Sequence, residues 1–157
     1  MNKTIVLAAD TKSHVSAAAA VTRELSQDSD DRVIVLHVHE FAVGRWGRMQ
    51  VDCGEGEGEA LVSEVVTDLK NAGIAAEGEI REAQLGHIAR NILAAADEHD
   101  ARVIVIGSGG HGDLPHLPFG SVSHRLLHLA TRPVLVVPPQ SRAGGLEHQP
   151  EAAANAG

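Results

Sequence analysis

Aromatic side chains are almost missing: Phe41, Phe119 and Trp46 are the whole set in 157 residues, and tyrosine is absent. Any core must therefore be aliphatic, and small Ala, Val, Leu and Ile side chains suit closely packed sheet-on-helix layers. Cysteine is reduced to Cys53. That excludes an intrachain disulfide and a zinc site built on a cysteine pair. With polar, Gly-rich neighbours and no base beside it, Cys53 reads as an ordinary free thiol. Positive charge is scarce, with 13 Lys plus Arg against 21 Asp plus Glu and a formal net charge of −8. Such a chain repels a phosphate backbone, so nucleic acid is not an expected partner. A single small phosphate ligand is still compatible, because main-chain N–H groups bind it locally. No apolar run approaches the roughly 20 residues of a membrane span. The start, Met-Asn-Lys-Thr, lacks the pattern of a signal peptide. The expectation is a soluble, cytoplasmic protein.

What is present is an alternation. Apolar, β-branched runs occur at Thr4 to Ala9, Arg32 to His39, Arg102 to Ile106 and Pro133 to Val137, with a weaker one at Ala75 to Arg81. Their near-continuous apolar character predicts strands covered on both faces. Helical patterns fill the intervals. Ser13 to Gln27 is Ala-rich, with Ser13 as candidate N-cap. Glu57 to Asn71 places Leu61, Val65, Val66 and Leu69 on one face, and Gly73 supplies its stop. Leu85 to His99 is expected to bury Leu85, Ile88, Ala89, Ile92, Leu93 and Ala96. Val122 to Ala130 is expected to bury Val122, Leu126, Leu127 and Leu129. The order β-α-β-α-β-α-β-α-β predicts an α/β fold with a doubly wound parallel sheet of five strands. Ligands of such sheets bind beyond the carboxyl ends of the strands, which points to the loops after the first and fourth runs. Phe41 to Gly58 reads as a long irregular connection. One domain is expected over residues 1–140, followed by a disordered tail over 141–157.

The segment after the fourth run carries the chemistry. From Gly107 to Ser123 it reads GSGGHGDLPHLPFGSVS, a Gly-rich loop between a strand and a helix. Glycine lets main chain approach a ligand closely and exposes N–H groups to phosphate oxygens. Gly120, Ser121, Val122 and Ser123 stand at the helix start, where free N–H groups and the dipole favour an anion. Each hydrogen bond to a charged group contributes about 1.5–3 kcal/mol, enough for a few to outweigh diffuse surface repulsion. Glycine count alone is equally compatible with an ordinary turn. The segment is neither a Walker loop nor a GxGxxG after the first strand.

Gly107-x-x-Gly110, nine residues, then Gly120-Ser121 resembles the G-x2-G-x9-G-(S/T) loop of the universal stress protein family. TIVLAADTKSH, VIVLHVHE and PVLVVP are similar to that family as well, so the resemblance covers residues 3–138. It implies a Rossmann-like fold of the adenine nucleotide alpha hydrolase type, with strand order 3-2-1-4-5. It also implies ATP as ligand, with AMP, ADP or cyclic AMP as alternatives and Mg accompanying ATP. Gly107, Gly110, Gly120, Ser121, Val122 and Ser123 would line the phosphates and ribose. Asp10 would sit near adenine and ribose, Ala8 close to the base, with Val38 packing on adenine and Ile106 flanking it. For Asp10 a helix N-terminal charge is the plain alternative; for Val38 and Ile106 it is core packing. The chain departs from the family in having His111 where a basic residue usually follows the second glycine, and in Pro115 and Pro118. Further implications are a homodimer through the fifth strand and an unknown regulatory partner. No Lys or Arg clamps the loop, so an enzyme is not expected. A slow ATPase and a nucleotide-free interaction protein of the same fold are the alternatives.

Histidine is plentiful, with ten in the chain. His124 and His128 stand four apart on the last helix, a spacing that can hold metal, but no Glu lies between them as in His-Glu-x-x-His and no third ligand is evident. A solvated helix face is the simpler reading, and no metal is expected. His37 and His39 share a strand face. His111 and His116 fall in the loop, where their protonated forms could meet phosphate. Trp46, with Arg45 and Arg48, either stacks on a ligand or covers the core edge.

Overall fold

A computed structural model of the chain describes residues 3–27, 30–51, 54, 56–108 and 120–139. Gly110, His111, Pro115, His116, Pro118, Cys53 and the stretch 141–157 lie outside the described residues. The elements run β1 (Thr4–Ala8), α1 (Lys12–Ser26), β2 (Arg32–Gly44), β3 (Gly47–Gln50), α2 (Glu57–Asn71), β4 (Ala75–Gln84), α3 (Ile88–Glu98), β5 (Ala101–Gly107), α4 (Ser121–Leu129) and β6 (Val134–Val137).

Five strands pair in parallel in the spatial order β4-β2-β1-β5-β6. This is the expected doubly wound arrangement. The sheet has a sixth strand among the described residues, β3, which pairs antiparallel with the end of β2 through Phe41↔Gln50, Ala42↔Met49 and Val43↔Arg48. The expectation of an irregular connection from Phe41 is corrected here: β2 runs on to Gly44 and returns as a hairpin. Phe41 pairs with Gln50 on one edge and Gln84 on the other.

Alternation along the buried strands divides the core in two. Ile5, Leu7, Val33, Val35, Val103 and Val105 face α1 and α2. Val6, Ala8, Ile34, Leu36, Val38, Ile104 and Ile106 face α3 and α4. Fully burying one such aliphatic side chain contributes about 1.5–3 kcal/mol, and Ile5, Leu7, Val33, Val35 and Ile104 are completely covered.

Helix α2 stops as its sequence predicts. Gly73 adopts φ +81°, a left-handed conformation that favours glycine. Its N–H donates to the Lys70 carbonyl (2.9 Å) and that of Ile74 to the Leu69 carbonyl (3.0 Å), while Leu69 and Ile74 bury their side chains together. Other expectations shift. The residue capping α1 is Thr11 rather than Ser13. Val62 is buried on α2, whereas Val66 is only partly covered. Leu85 lies in the turn before α3 and is exposed. On α4 only Ser123 and Leu126 are buried, and Leu127 and Leu129 are exposed. That helix is short and sits over the sheet margin, so only one narrow stripe finds a surface to cover.

Candidate functional site

The sheet reverses direction at β1. Helix α1 leads from β1 to β2 over one face, and α3 leads from β4 past β1 to β5 over the other. A crevice opens beyond the carboxyl ends at such a reversal. It holds a cavity of about 290 Å³ lined by Ala8, Asp10, Leu36, Val38, Ile106 and Val122, with Ala9, Thr11, His37, Ile88 and Ile92 completing the wall.

Strand register explains why these residues meet. Ala8 pairs with Leu36 on one side and with Ile106 on the other. Val38 follows Leu36 two residues on, so all four lie on the α3–α4 face. The result is an apolar shelf of small and medium side chains. Ile88 and Ile92, one turn apart on α3, form the opposite wall. They were expected only as core. Their signal was position: an apolar i, i+4 pair in the first turns of a helix whose start faces the carboxyl ends of the strands.

Asp10 closes the polar side of the shelf. Its Oδ1 accepts the Thr11 N–H (2.6 Å) and its Oδ2 accepts the ring N–H of His14 (2.8 Å). The carboxylate is exposed and stands at the start of α1, where the helix dipole favours it. His37 forms part of the wall, and its Nδ1–H donates to the Ala9 carbonyl (2.7 Å). His39 is bonded to Glu59 (3.1 Å) and receives the Gln50 amide (3.3 Å). The two rings meet edge to face, 4.7 Å between centroids. The pair thus ties the ends of β1 and β2 to α2 and β3.

The loop glycines have different reasons to be glycine. A Cβ on Gly107 would lie 2.3 Å from the His14 carbonyl oxygen. Gly107 is therefore demanded by the approach of α1 to β5, a packing role that its place in the loop motif does not reveal. Gly120 is the N-cap of α4 with extended backbone, and among the described residues a Cβ there meets nothing within 4 Å. No described side chain caps α4, and its first turn holds no acidic residue. The N–H groups of Ser121, Val122 and Ser123 precede the first helical acceptor pairing, His124 N–H to the Gly120 carbonyl (2.9 Å). Ser121 is exposed, Val122 reaches the cavity, and the Ser123 side chain is buried. The structure thus brings Ala8, Asp10, Val38, Ile106 and Val122 to one cavity, with Gly107 and the α4 start beside them.

The family model of the universal stress proteins matches residues 1–138. The chain belongs to the universal stress protein family. A universal stress protein of Thermus aquaticus is 34% identical over 142 residues, covering 87% of this chain and 99% of its own. Among solved structures, a universal stress protein from Archaeoglobus fulgidus superposes with a TM-score of 0.67 at 26% identity, covering 87% of this chain and 99% of the other. A universal stress protein from the same organism, solved in complex with dAMP, has a TM-score of 0.62 at 20% identity, with 87% and 98% covered. The expected family and fold class are therefore borne out, with six strands among the described residues rather than the expected five. Among the described residues no helix is long and apolar enough to cross a membrane.

Proposed function

We propose that this universal stress protein binds an adenine nucleotide, ATP foremost, with the base on the shelf of Ala8, Val38 and Ile106. Asp10 then faces the ribose, and the phosphates meet the N–H groups of Ser121 to Ser123 at the start of α4. The observation that carries this reading is the cavity at the β1–β5 reversal, apolar on its floor and adjoined by a helix N-terminus that no described side chain caps. The dAMP held by a relative of the same fold supports the ligand class. An adenine ring needs an apolar slot and an anion needs free N–H donors, and the two stand side by side here.

The protein holds the nucleotide rather than turning it over. Fast phosphoryl transfer needs charge clamps and a positioned base, and the cavity lining contains neither Lys nor Arg. Binding then acts as a signal, changing contacts with a regulatory partner in the cytoplasm. β6 is the last strand of the sheet, with Leu135 partly exposed on it. Apolar edge strands pair readily, which supports a homodimer through residues 133–137; light scattering at micromolar concentration should return the dimer mass, and a monomer mass would contradict it.

Calorimetry with ATP on wild type and Gly120→Val tests the site. The added side chain enters open space, so the fold persists while the ligand's path to the α4 amides is blocked. Losing two charge-assisted hydrogen bonds at about 1.5–3 kcal/mol each weakens binding at least about 100-fold. Equal affinity for the two proteins would refute the assignment.

A further inference from the structure

The outer face of α4 carries a feature that nucleotide binding does not use. His124 and His128 are both exposed, and their rings lie together with centroids 4.6 Å apart and planes at 63°. Four residues apart on a helix, they stand one above the other. Two imidazoles sharing one metal ion, each nitrogen about 2.0–2.1 Å from it, have centroids roughly 4.5–5 Å apart at bond angles between a right angle and the tetrahedral value. The observed separation lies in that interval. Rotation about χ2, which is soft for histidine, is the adjustment that metal binding would ask of the two rings.

His128 lies in the last turn of α4, where the helix dipole favours a cation. Arg125, the nearest basic side chain in sequence, is anchored elsewhere, its Nη1 donating to the Gly86 carbonyl (2.5 Å). The chain as a whole carries a net charge of −8, which concentrates cations near its surface. Among the described residues no group of three or more potential ligands gathers. Two protein ligands leave the other positions to water.

We propose that His124 and His128 form a binding site for one divalent metal ion of the imidazole-preferring class, Zn²⁺, Ni²⁺ or Cu²⁺, with the remaining coordination positions open. Imidazole selects these ions over Mg²⁺ and Ca²⁺, which take oxygen ligands. A metal bridging one turn also clamps α4, so it raises thermal stability by binding the folded state alone.

The test is calorimetric titration of the untagged full chain with NiCl₂, alongside His124→Ala, His128→Ala and the double variant. Both positions are exposed, and circular dichroism checks that the variants keep the fold. Wild type should show one saturable site, and each single variant should bind at least 10-fold more weakly. The double variant, which lacks both imidazole ligands, should show no saturable site. MgCl₂ should give no saturable heat. Wild-type affinity in either single variant, or retention of the site in the double variant, would overturn the proposal and place the metal on other histidines.

Discussion

The two ends of the sheet are built on opposite plans. At the amino ends, charged side chains close the structure. Arg102 donates from Nε (2.8 Å) and Nη2 (2.6 Å) to Asp31, whose side chain is buried. Arg132 reaches the carbonyls of Ala96 and Ala101 and the carboxylate of Asp97, satisfying acceptors at the end of α3 and the start of β5. From the middle of β4, at the register of Leu36 and Val38, Glu79 and Arg81 reach down to His99 and Glu98 at the end of α3. At the carboxyl ends the bonds from Arg48 to Glu82 (2.6 Å), His39 to Glu59 (3.1 Å) and His14 to Asp10 (2.8 Å) stand around the crevice, and of these residues only Asp10 lines it. Among the described residues the crevice keeps an apolar lining with Asp10 as its one carboxylate, and no side chain caps the helix that starts beside it. The contrast teaches that one end of this fold holds the layers together, while the other keeps an apolar crevice next to the start of α4.

Substitutions at the two ends should therefore separate binding from stability. The largest effect is expected from Val38→Phe, which fills the apolar shelf proposed for the base. ATP affinity should drop at least about 100-fold, or about 2.8 kcal/mol, by calorimetry, with little change in the melting curve because the ring grows into the cavity. Arg102→Ala should do the reverse. Removing its hydrogen bonds to Asp31 should cost about 1.5–3 kcal/mol of stability in urea unfolding and leave ATP affinity unchanged. Affinity that falls along with stability would show that the ends are not independent.

The smallest effect concerns acid. Burial opposes ionisation of Glu79, but the bonds from His99 and Arg81 together outweigh it and hold its carboxyl below the ordinary value. A lowered carboxylate adds stability above the unfolded value of about 4.3 and loses it as pH falls through the folded value. Glu79→Gln should thus flatten the acid limb of stability below about pH 4.5 by less than about 1 kcal/mol. An unchanged acid limb would remove Glu79 from the account.

Much of this plan is legible in the chain. The β/α alternation predicts the layers, and the glycine after Asn71 predicts the end of α2, because both depend on local periodicity and backbone freedom. The β2–β3 hairpin is hidden because its pairing segments are short and interrupted by Gly44 and Gly47, so they read as a loop. Its tip leaves Trp46 97% exposed, which rules out the reading that this residue covers the core edge. Leu127 and Leu129 match a helical apolar face, but the packing surface available to α4 is set by its place over the sheet margin, which no local pattern encodes. The shelf depends on register between strands far apart in sequence. Motif resemblance points to Ala8, Val38 and Ile106, and the pairing of β1 with β2 and β5 explains why they meet. Gly107 shows the converse: a residue of the loop motif whose missing Cβ is required by the backbone of α1.

The most direct measurement is amide NMR of the isotope-labelled chain during titration with ATP. The account predicts saturable shifts at Ala8, Asp10, Val38, Ile106 and Ser121 to Ser123, with the amino-end residues Asp31, Arg102 and Arg132 unmoved. Absence of saturable shifts, or shifts confined to the hairpin of residues 41–50, would contradict it.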